Sequence, residues 1–291
     1  MDFLLGKGIL PEFLLVLVTL ILVFFLLAAL EYLYNSYYVM TRYRTVLIKN
    51  TVNSNSKTTI IQDPSQSGAI TVFPSGNERT GIEFAYSFFL YVNNSTFNQS
   101  STSTLKHVFY KGYAKSNILM GPGVFIDSTG QTNKMRVVMN SFKNWRKYIE
   151  IDNLPIDKWF HVALVYRGNS LEVYINGNLR SKMAFENGDL PYQNFQDIVV
   201  FNQDNRAFGN TTNPAYKVDG VTGQTLQEGY PDNFSKSIVG ALSRLTYFQY
   251  AIGFSEIQAL MSAGASSIVE NDNNMNNVPP YLQDTWWTTT Y

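Results

Sequence analysis

Residues Phe13 to Leu30 read FLLVLVTLILVFFLLAAL, with no charge, no proline, no glycine, and Thr19 the only polar side chain. A hydrocarbon core about 30 Å thick takes roughly 20 helical residues at about 1.5 Å each. The run sits near the lower end of that length, and Tyr32, Tyr34, Tyr37 and Tyr38 extend it as an interfacial aromatic belt. The expectation is one membrane-spanning helix that anchors the chain. A signal peptide needs a basic start, a shorter apolar stretch and a small-residue cleavage site. Here Lys7 stands against Asp2 and Glu12, and Ala28-Ala29 is followed by Leu30, Glu31 and Tyr32, a poor context for cleavage.

Orientation is read from charge. Arg42, Arg44 and Lys49 follow the span and only Lys7 precedes it, so the positive-inside rule puts the C-terminal part on the cytosolic side. Against this stand N-x-S/T acceptor patterns at Asn93, Asn94, Asn98, Asn210 and Asn233. The chain has no cysteine, which fits a reducing compartment or a fold that needs no disulfide.

Composition then excludes some classes. With the anchor and a polar segment set aside, about 230 residues remain, enough for one all-β domain with a real core. Lys and Arg total 22 and so do Asp and Glu. No basic field exists to hold nucleic acid. The chain has 19 Tyr and 20 Phe, residues that favour strands and contact surfaces.

Along the chain, 1–38 reads as the anchor, 39–68 as a polar stalk, 69–266 as a sandwich and 267–291 as a polar, then aromatic, tail. Ile82, Phe84, Tyr86, Phe88, Leu90 and Val92 alternate with period two. Trp159 to Tyr166 is apolar on both faces, as in a central strand. RGNS is a turn, Leu171, Val173 and Ile175 alternate, and Asn176-Gly177 is a type I′ hairpin signal because both central residues need positive φ. Residues 205–236 read as a long loop, and FSEIQALMSAG as a helix with Ser255 as N-cap, Gln258 completing a capping box and Gly264 as the stop. Strands at this spacing predict an all-β, two-sheet antiparallel jelly roll.

The patterns W-x-H-V-A-L-x-Y, L-x-V-Y-I-N-G-N and G-x-L-S-x-L-x-Y-F-x-x-A-I-x-x-x-E-I-x-x-L, within about residues 70 to 266, resemble the laminin-G-like, concanavalin A-like lectin/glucanase superfamily. The resemblance implies a core strand holding Trp159, His161 and Val162, a hairpin at Tyr174 to Asn178, a returning strand at Gly240 to Ile252 and a short closing helix. Its motifs are structural and nearly silent on ligand. The anchor, the absence of cysteine, the many asparagines and the PPYL…WW tail are also similar in style to membrane-anchored structural proteins of large icosahedral DNA viruses, whose minor capsid proteins join an inner membrane to the shell.

Glycoside hydrolysis needs two flanking carboxylates. Retaining glucanases of the resembled superfamily carry E-x-D-x-E on one strand, whereas Glu150-Ile151-Asp152 is followed at the next same-face position by Leu154. Glu150 and Asp152 therefore read as solvated strand-end charges, and no enzyme is expected. His107 and His161 lack the partners of a zinc site and read as satisfied structural residues. Asp127, Asp204, Asp219 and Asp232 are weak calcium candidates, and no other cofactor is expected. Tyr86, Tyr91, Tyr110, Tyr113 and Trp145 are candidates for stacking on carbohydrate. Tyr281, Trp286, Trp287 and Tyr291 are candidates for docking on a partner protein, because large aromatics in a polar tail are costly to leave wet. The expected partners are a lipid bilayer and shell proteins, with carbohydrate as the alternative.

Overall fold

The computed structural model describes residues 9–75, 82–97, 104–114, 118–128, 133–143, 147–186, 189–204, 206–207 and 233–270. The chain divides into two compact units at residue 44. The first holds a single helix, α1 (Ile9–Arg42). Its segment Glu12–Tyr34 is 23 residues long, apolar enough to cross a membrane, and buried nowhere by protein. A helix that is apolar all round and uncovered by protein suits lipid as its surroundings.

The second unit is a β-sandwich. Its strands are β1 (Arg44–Val46), β2 (Thr51–Asn53), β3 (Thr58–Ile60), β4 (Phe84–Val92), β5 (Thr104–Ala114), β6 (Ile118–Asp127), β7 (Lys134–Met139) and β8 (Lys147–Ile151). Then come β9 (Trp159–Arg167), β10 (Ser170–Ile175), β11 (Asn178–Ala184), β12 (Ile198–Val200), β13 (Arg206–Ala207), β14 (Asn233–Ser237) and β15 (Gly240–Phe248), closed by helix α2 (Phe254–Ser262). One sheet runs β1-β15-β4-β9-β10-β11, with β2 also on β15. The other runs β13-β14-β5-β6-β7-β8, with β12 bridging β5 and β3. Every strand pair whose register is defined is antiparallel except β14 with β5, which is parallel. The two-sheet antiparallel jelly roll expected from the sequence is the fold observed.

Alternation explains the core. Phe84, Tyr86, Phe88, Leu90 and Val92 point inward from β4, and Phe160, Val162, Leu164 and Tyr166 from β9. They meet Val124 and Ile126 of β6 and Met135, Val137 and Met139 of β7. Phe88 packs edge-on against Phe109 of β5, with centroids 5.2 Å apart. Each such side chain contributes about 1.5–3 kcal/mol through burial. The β9–β10–β11 meander turns at Gly168-Asn169 (φ 51° and 66°) and Asn176-Gly177 (φ 49° and 75°). Both central residues are left-handed in each turn, as a type I′ hairpin requires.

Three sequence expectations are corrected. The 39–68 segment is not a stalk throughout: β2 pairs with β15 and β3 with β12, and Leu47, Ile48, Val52 and Ile60 lie in the core. Gln62 then fastens the next turn, its Nε2 donating to the Ile70 carbonyl at 2.8 Å and its Oε1 accepting from the Val72 amide at 2.8 Å. Helix α2 is not capped by Ser255. Its N-cap is Gly253, with no side-chain cap. That start puts Ile252 just outside the helix and Ile257 in its first turns, both fully buried against Ala85, Ala163 and Val165 on the outer face of the first sheet. A hydrophobic staple of this kind sets the entry angle and prevails over the capping box. Gly264, with φ 64°, ends the helix as expected. Within 205–236, expected as loop, β13 and β14 form strands.

Candidate functional site

Strands β4 and β9 set Tyr91 opposite Trp159, Phe89 opposite His161 and Ser87 opposite Ala163. Period two sends all of these to the outer face of the first sheet. Helix α2 packs over Ala85, Ala163 and Val165, while Tyr91 and Trp159 stay partly open, Trp159 with 40% of its surface exposed. Their rings lie 5.7 Å apart at 50°. Asp157 and Asn94 border this pair. The Asn94 amide donates to Asp157 Oδ1 at 3.0 Å and the Asp157 amide to the Val92 carbonyl at 2.9 Å. Asn176, at the adjacent hairpin, accepts the His161 amide on its Oδ1 at 2.9 Å. Aromatic faces edged by amides and a carboxylate can stack on a sugar ring and hydrogen-bond its hydroxyls.

Further along the same outer face lies a buried serine–histidine pair. Ser87 Oγ and His161 Nε2 are 2.8 Å apart, while His161 Nδ1 has no hydrogen-bond partner. The expectation of a fully satisfied histidine thus holds for one ring nitrogen only. Burial pushes the His161 imidazole down to about 4, so it is neutral near pH 7. Hydrolytic triads need a third group to orient the histidine and an accessible hydroxyl. Here Nδ1 is unpartnered and Ser87 is buried. The pair ties β4 to β9. His107 is similar: its Nδ1 accepts the Asn202 amide at 2.9 Å, Nε2 is unpartnered, and burial pushes the ring down to about 3.

The other sequence candidates scatter. Glu150 is engaged by Arg136, whose Nη2 reaches its Oε1 at 2.7 Å, and Lys134 bridges to Asp152 at 3.3 Å. Tyr86 and Tyr110 are buried, 1% and 6% exposed, and cannot present a face to a sugar. Tyr86 is one of the alternating inward residues of β4, and Tyr110 packs with Phe125 and Val138. Asp127 is nearly buried on β6 and Asp204 is exposed. Among the described residues no group of three His, Cys, Asp or Glu converges. The side chain of Tyr113 and all of Trp145, Asp219, Asp232, Tyr281, Trp286, Trp287 and Tyr291 lie outside the described residues.

At the opposite end a small solvent-open cleft enters between the sheets, lined by Phe73, Pro74, Tyr86, Lys111, Asn194 and Tyr247 among others. Lys111 is buried there and its Nζ donates to the Gln196 carbonyl at 2.8 Å. Burial lowers the amine to about 8, opposed by the Asp197 carboxylate. Sequence reasoning missed this lysine and the Ser87 partner of His161, because neither lies in a local pattern.

A two-sheet jelly roll preceded by one long apolar helix, with an aromatic platform on one face, defines the class. The chain belongs to the concanavalin A-like lectin/glucanases superfamily, whose profile matches residues 63–221. A comparison with curated proteins finds no match. Among solved structures, the receptor binding domain of botulinum neurotoxin D is 12% identical, covering 76% of this chain and 52% of its own, with a TM-score of 0.43. The binding domain of Paraclostridial mosquitocidal protein 1 is 15% identical over 73% of this chain and 42% of its own, with a TM-score of 0.40. A Trypanosoma rangeli sialidase, in complex with 2,3-difluorosialic acid, is 12% identical over 64% of this chain and 24% of its own, with a TM-score of 0.38. The chain therefore spans about half or less of the length of these proteins.

Proposed function

We propose that this is a non-enzymatic, single-pass membrane protein whose sandwich tethers a bilayer to a protein shell, in the manner of a minor capsid protein of a large DNA virus. The observation that carries the reading is the succession of an uncovered, membrane-length apolar span, Glu12–Tyr34, and a sandwich whose first strand opens at Arg44. The helix holds one end at the bilayer and the sandwich supplies a rigid surface beyond it. The engagement of Glu150 and Asp152 by Arg136 and Lys134 supports a binding role over hydrolysis. The tethering needs no metal or cofactor.

Cross-linking of the full chain in intact particles, followed by peptide mapping, tests this. Exposed Lys49 and Lys158 are expected to link to a shell subunit. Links confined to the chain itself would count against a tether.

A second reading, an anchored carbohydrate-binding module, is favoured by the Tyr91–Trp159 platform. It expects retention on a polysaccharide matrix that Trp159→Ala abolishes while the circular dichroism spectrum is kept. It also expects a glycan on exposed Asn94, which requires the sandwich to face a secretory lumen. A full chain that passes unretained over such matrices would remove this reading.

A further inference from the structure

One end of the space between the sheets is not filled by the core. Further in, Phe109 of β5 and Val124 of β6 belong to the apolar core. At this end the same two strands bring Lys111 and Gly121. Opposite stand Tyr86 of β4 and Tyr247 of β15, with Phe73 and Pro74 beside them. A Cβ added at Gly121 would come within 2.7 Å of the Tyr192 carbonyl oxygen, so no side chain from β6 plugs the cleft. The enclosed part is about the size of a water molecule, and the rest is open to solvent.

Two polar side chains line this space without the partners that burial demands. Lys111 is only 4% exposed, and an ammonium carries three N–H donors. One goes to the Gln196 carbonyl at 2.8 Å, and the described residues offer no acceptor to the other two. The Asp197 carboxylate attracts the ammonium without forming an ion pair, and its Oδ1 is taken up by the Gln62 amide at 2.9 Å. The Tyr86 ring packs on Phe84, Phe109 and Tyr247, and its hydroxyl has no hydrogen-bond partner among the described residues. Tyr247 spends its own proton on the Phe73 carbonyl at 2.8 Å. A buried ammonium or hydroxyl short of partners is costly, and an anion supplies acceptors for both.

We infer that the cleft is a binding site for a single carboxylate carried on an apolar group, with Lys111 and Tyr86 donating to the carboxylate and Phe73 and Pro74 packing on the apolar part. One cation suits one negative charge. A phosphate would bring a second charge and more oxygens, which ask for more donors than the cleft holds and would meet the nearby Asp197. The narrow interior takes the carboxylate head alone, so the apolar part stays at the mouth. Phe73 is 60% exposed and Phe195 72%, and Phe195 directly precedes Gln196, whose carbonyl holds Lys111. Gln193 Oε1 accepts the Ser75 amide at 3.0 Å, which joins the Phe73 and Phe195 loops. Large apolar side chains left wet beside convergent polar groups mark a ligand surface. A free acid, and an acidic side chain next to an aromatic one in a partner protein, share this chemistry. The site lies wholly within the sandwich and does not depend on α1 or on the tethering role.

Fluorine NMR of 3-(4-fluorophenyl)propanoate with the full chain in detergent tests this, with protein-free detergent as the baseline and the corresponding amide as the uncharged control. The acid should broaden on the wild-type chain and sharpen again when excess 3-phenylpropanoate competes, and the amide should bind at least about tenfold more weakly. Lys111→Met keeps the length of the side chain and drops the charge, and should abolish the broadening. Phe73→Ser should weaken binding several-fold. Burial lowers the Lys111 amine to about 8 and holds the Tyr86 hydroxyl protonated well above its usual range, so binding should fall roughly tenfold from pH 7 to pH 9 as Lys111 loses its proton. Circular dichroism checks each variant, and the wild-type pH profile decides if Lys111→Met does not fold. Equal binding of acid and amide, an unchanged Lys111→Met, or a flat pH profile would overturn the proposal. Acetate competing as well as the phenyl acid would also overturn it, by removing the apolar half. Displacement at lower concentration by the N-acetylated dipeptide amide of phenylalanine and aspartate than by 3-phenylpropanoate would assign the carboxylate to a partner protein, and the reverse order to a free acid. Either order supports the site.

Discussion

Acid should loosen this sandwich well before its carboxylates are titrated. His107 and His161 are 3% and 1% exposed, and burial holds them at about 3 and about 4, against about 6.5 in an unfolded chain. Each folded value is depressed, so the unfolded state binds the proton first. The stability each neutral ring contributes is present in full above pH 6.5 and is lost as pH falls from there toward the folded value. From pH 7 to pH 5 each histidine costs about 2 kcal/mol, at about 1.4 kcal/mol per pH unit below 6.5, so roughly 4 kcal/mol for the pair. The assay is guanidinium unfolding of the full chain in detergent, followed by tryptophan fluorescence, at half-unit steps of pH. The control is the double variant His107→Asn, His161→Gln. The asparagine can keep an acceptor where His107 Nδ1 receives the Asn202 amide, and the glutamine can keep a polar group where His161 Nε2 meets Ser87 Oγ. The unfolding free energy of this variant should be nearly flat across the same window. A wild-type profile that is flat from pH 7 to 5, or a double variant with the full slope, would refute the reasoning.

Other expectations concern packing and charge. Phe88→Ala removes a fully buried ring at the centre of the core and should cost about 3–5 kcal/mol by the same assay. Gly177→Ala forces a Cβ into a turn with φ 75° and against the Gln258 side chain, and should cost about 1–2 kcal/mol. Glu150→Gln weakens an ion pair that is 31% exposed on the carboxylate side and should change stability by less than about 1 kcal/mol. It should also leave shell cross-linking intact, where loss of function would point to hydrolysis.

The parts of the fold legible in the sequence are those specified locally. Asn176-Gly177 and Gly168-Asn169 dictate their turns through backbone sterics alone, so β9, β10 and β11 could be placed from the string of residues. The alternation from Ile82 to Val92 fixed the inward face of β4 for the same reason. Residues 44–60 misled because a three-residue strand sends at most two side chains inward, and only pairing with β15 and β12 gives it meaning. The start of α2 was decided by what Ile252 and Ile257 bury, a tertiary effect that outweighed Ser255 and Gln258. The site was less legible than the fold. Ser87 and His161 are 74 residues apart in sequence, and the Tyr91–Trp159 platform exists only through the β4–β9 register.

The central claim is that α1 is retained as an anchor and holds the sandwich at a bilayer. Synthesis of the full chain with microsomes, followed by alkaline extraction, protease treatment and intact mass, tests it most directly. The account predicts a full-length chain that stays in the membrane pellet, carries no glycan, and loses its sandwich to protease added outside. Release by alkali, or a mass shortened by removal of the apolar N-terminus, would show a signal sequence and contradict it.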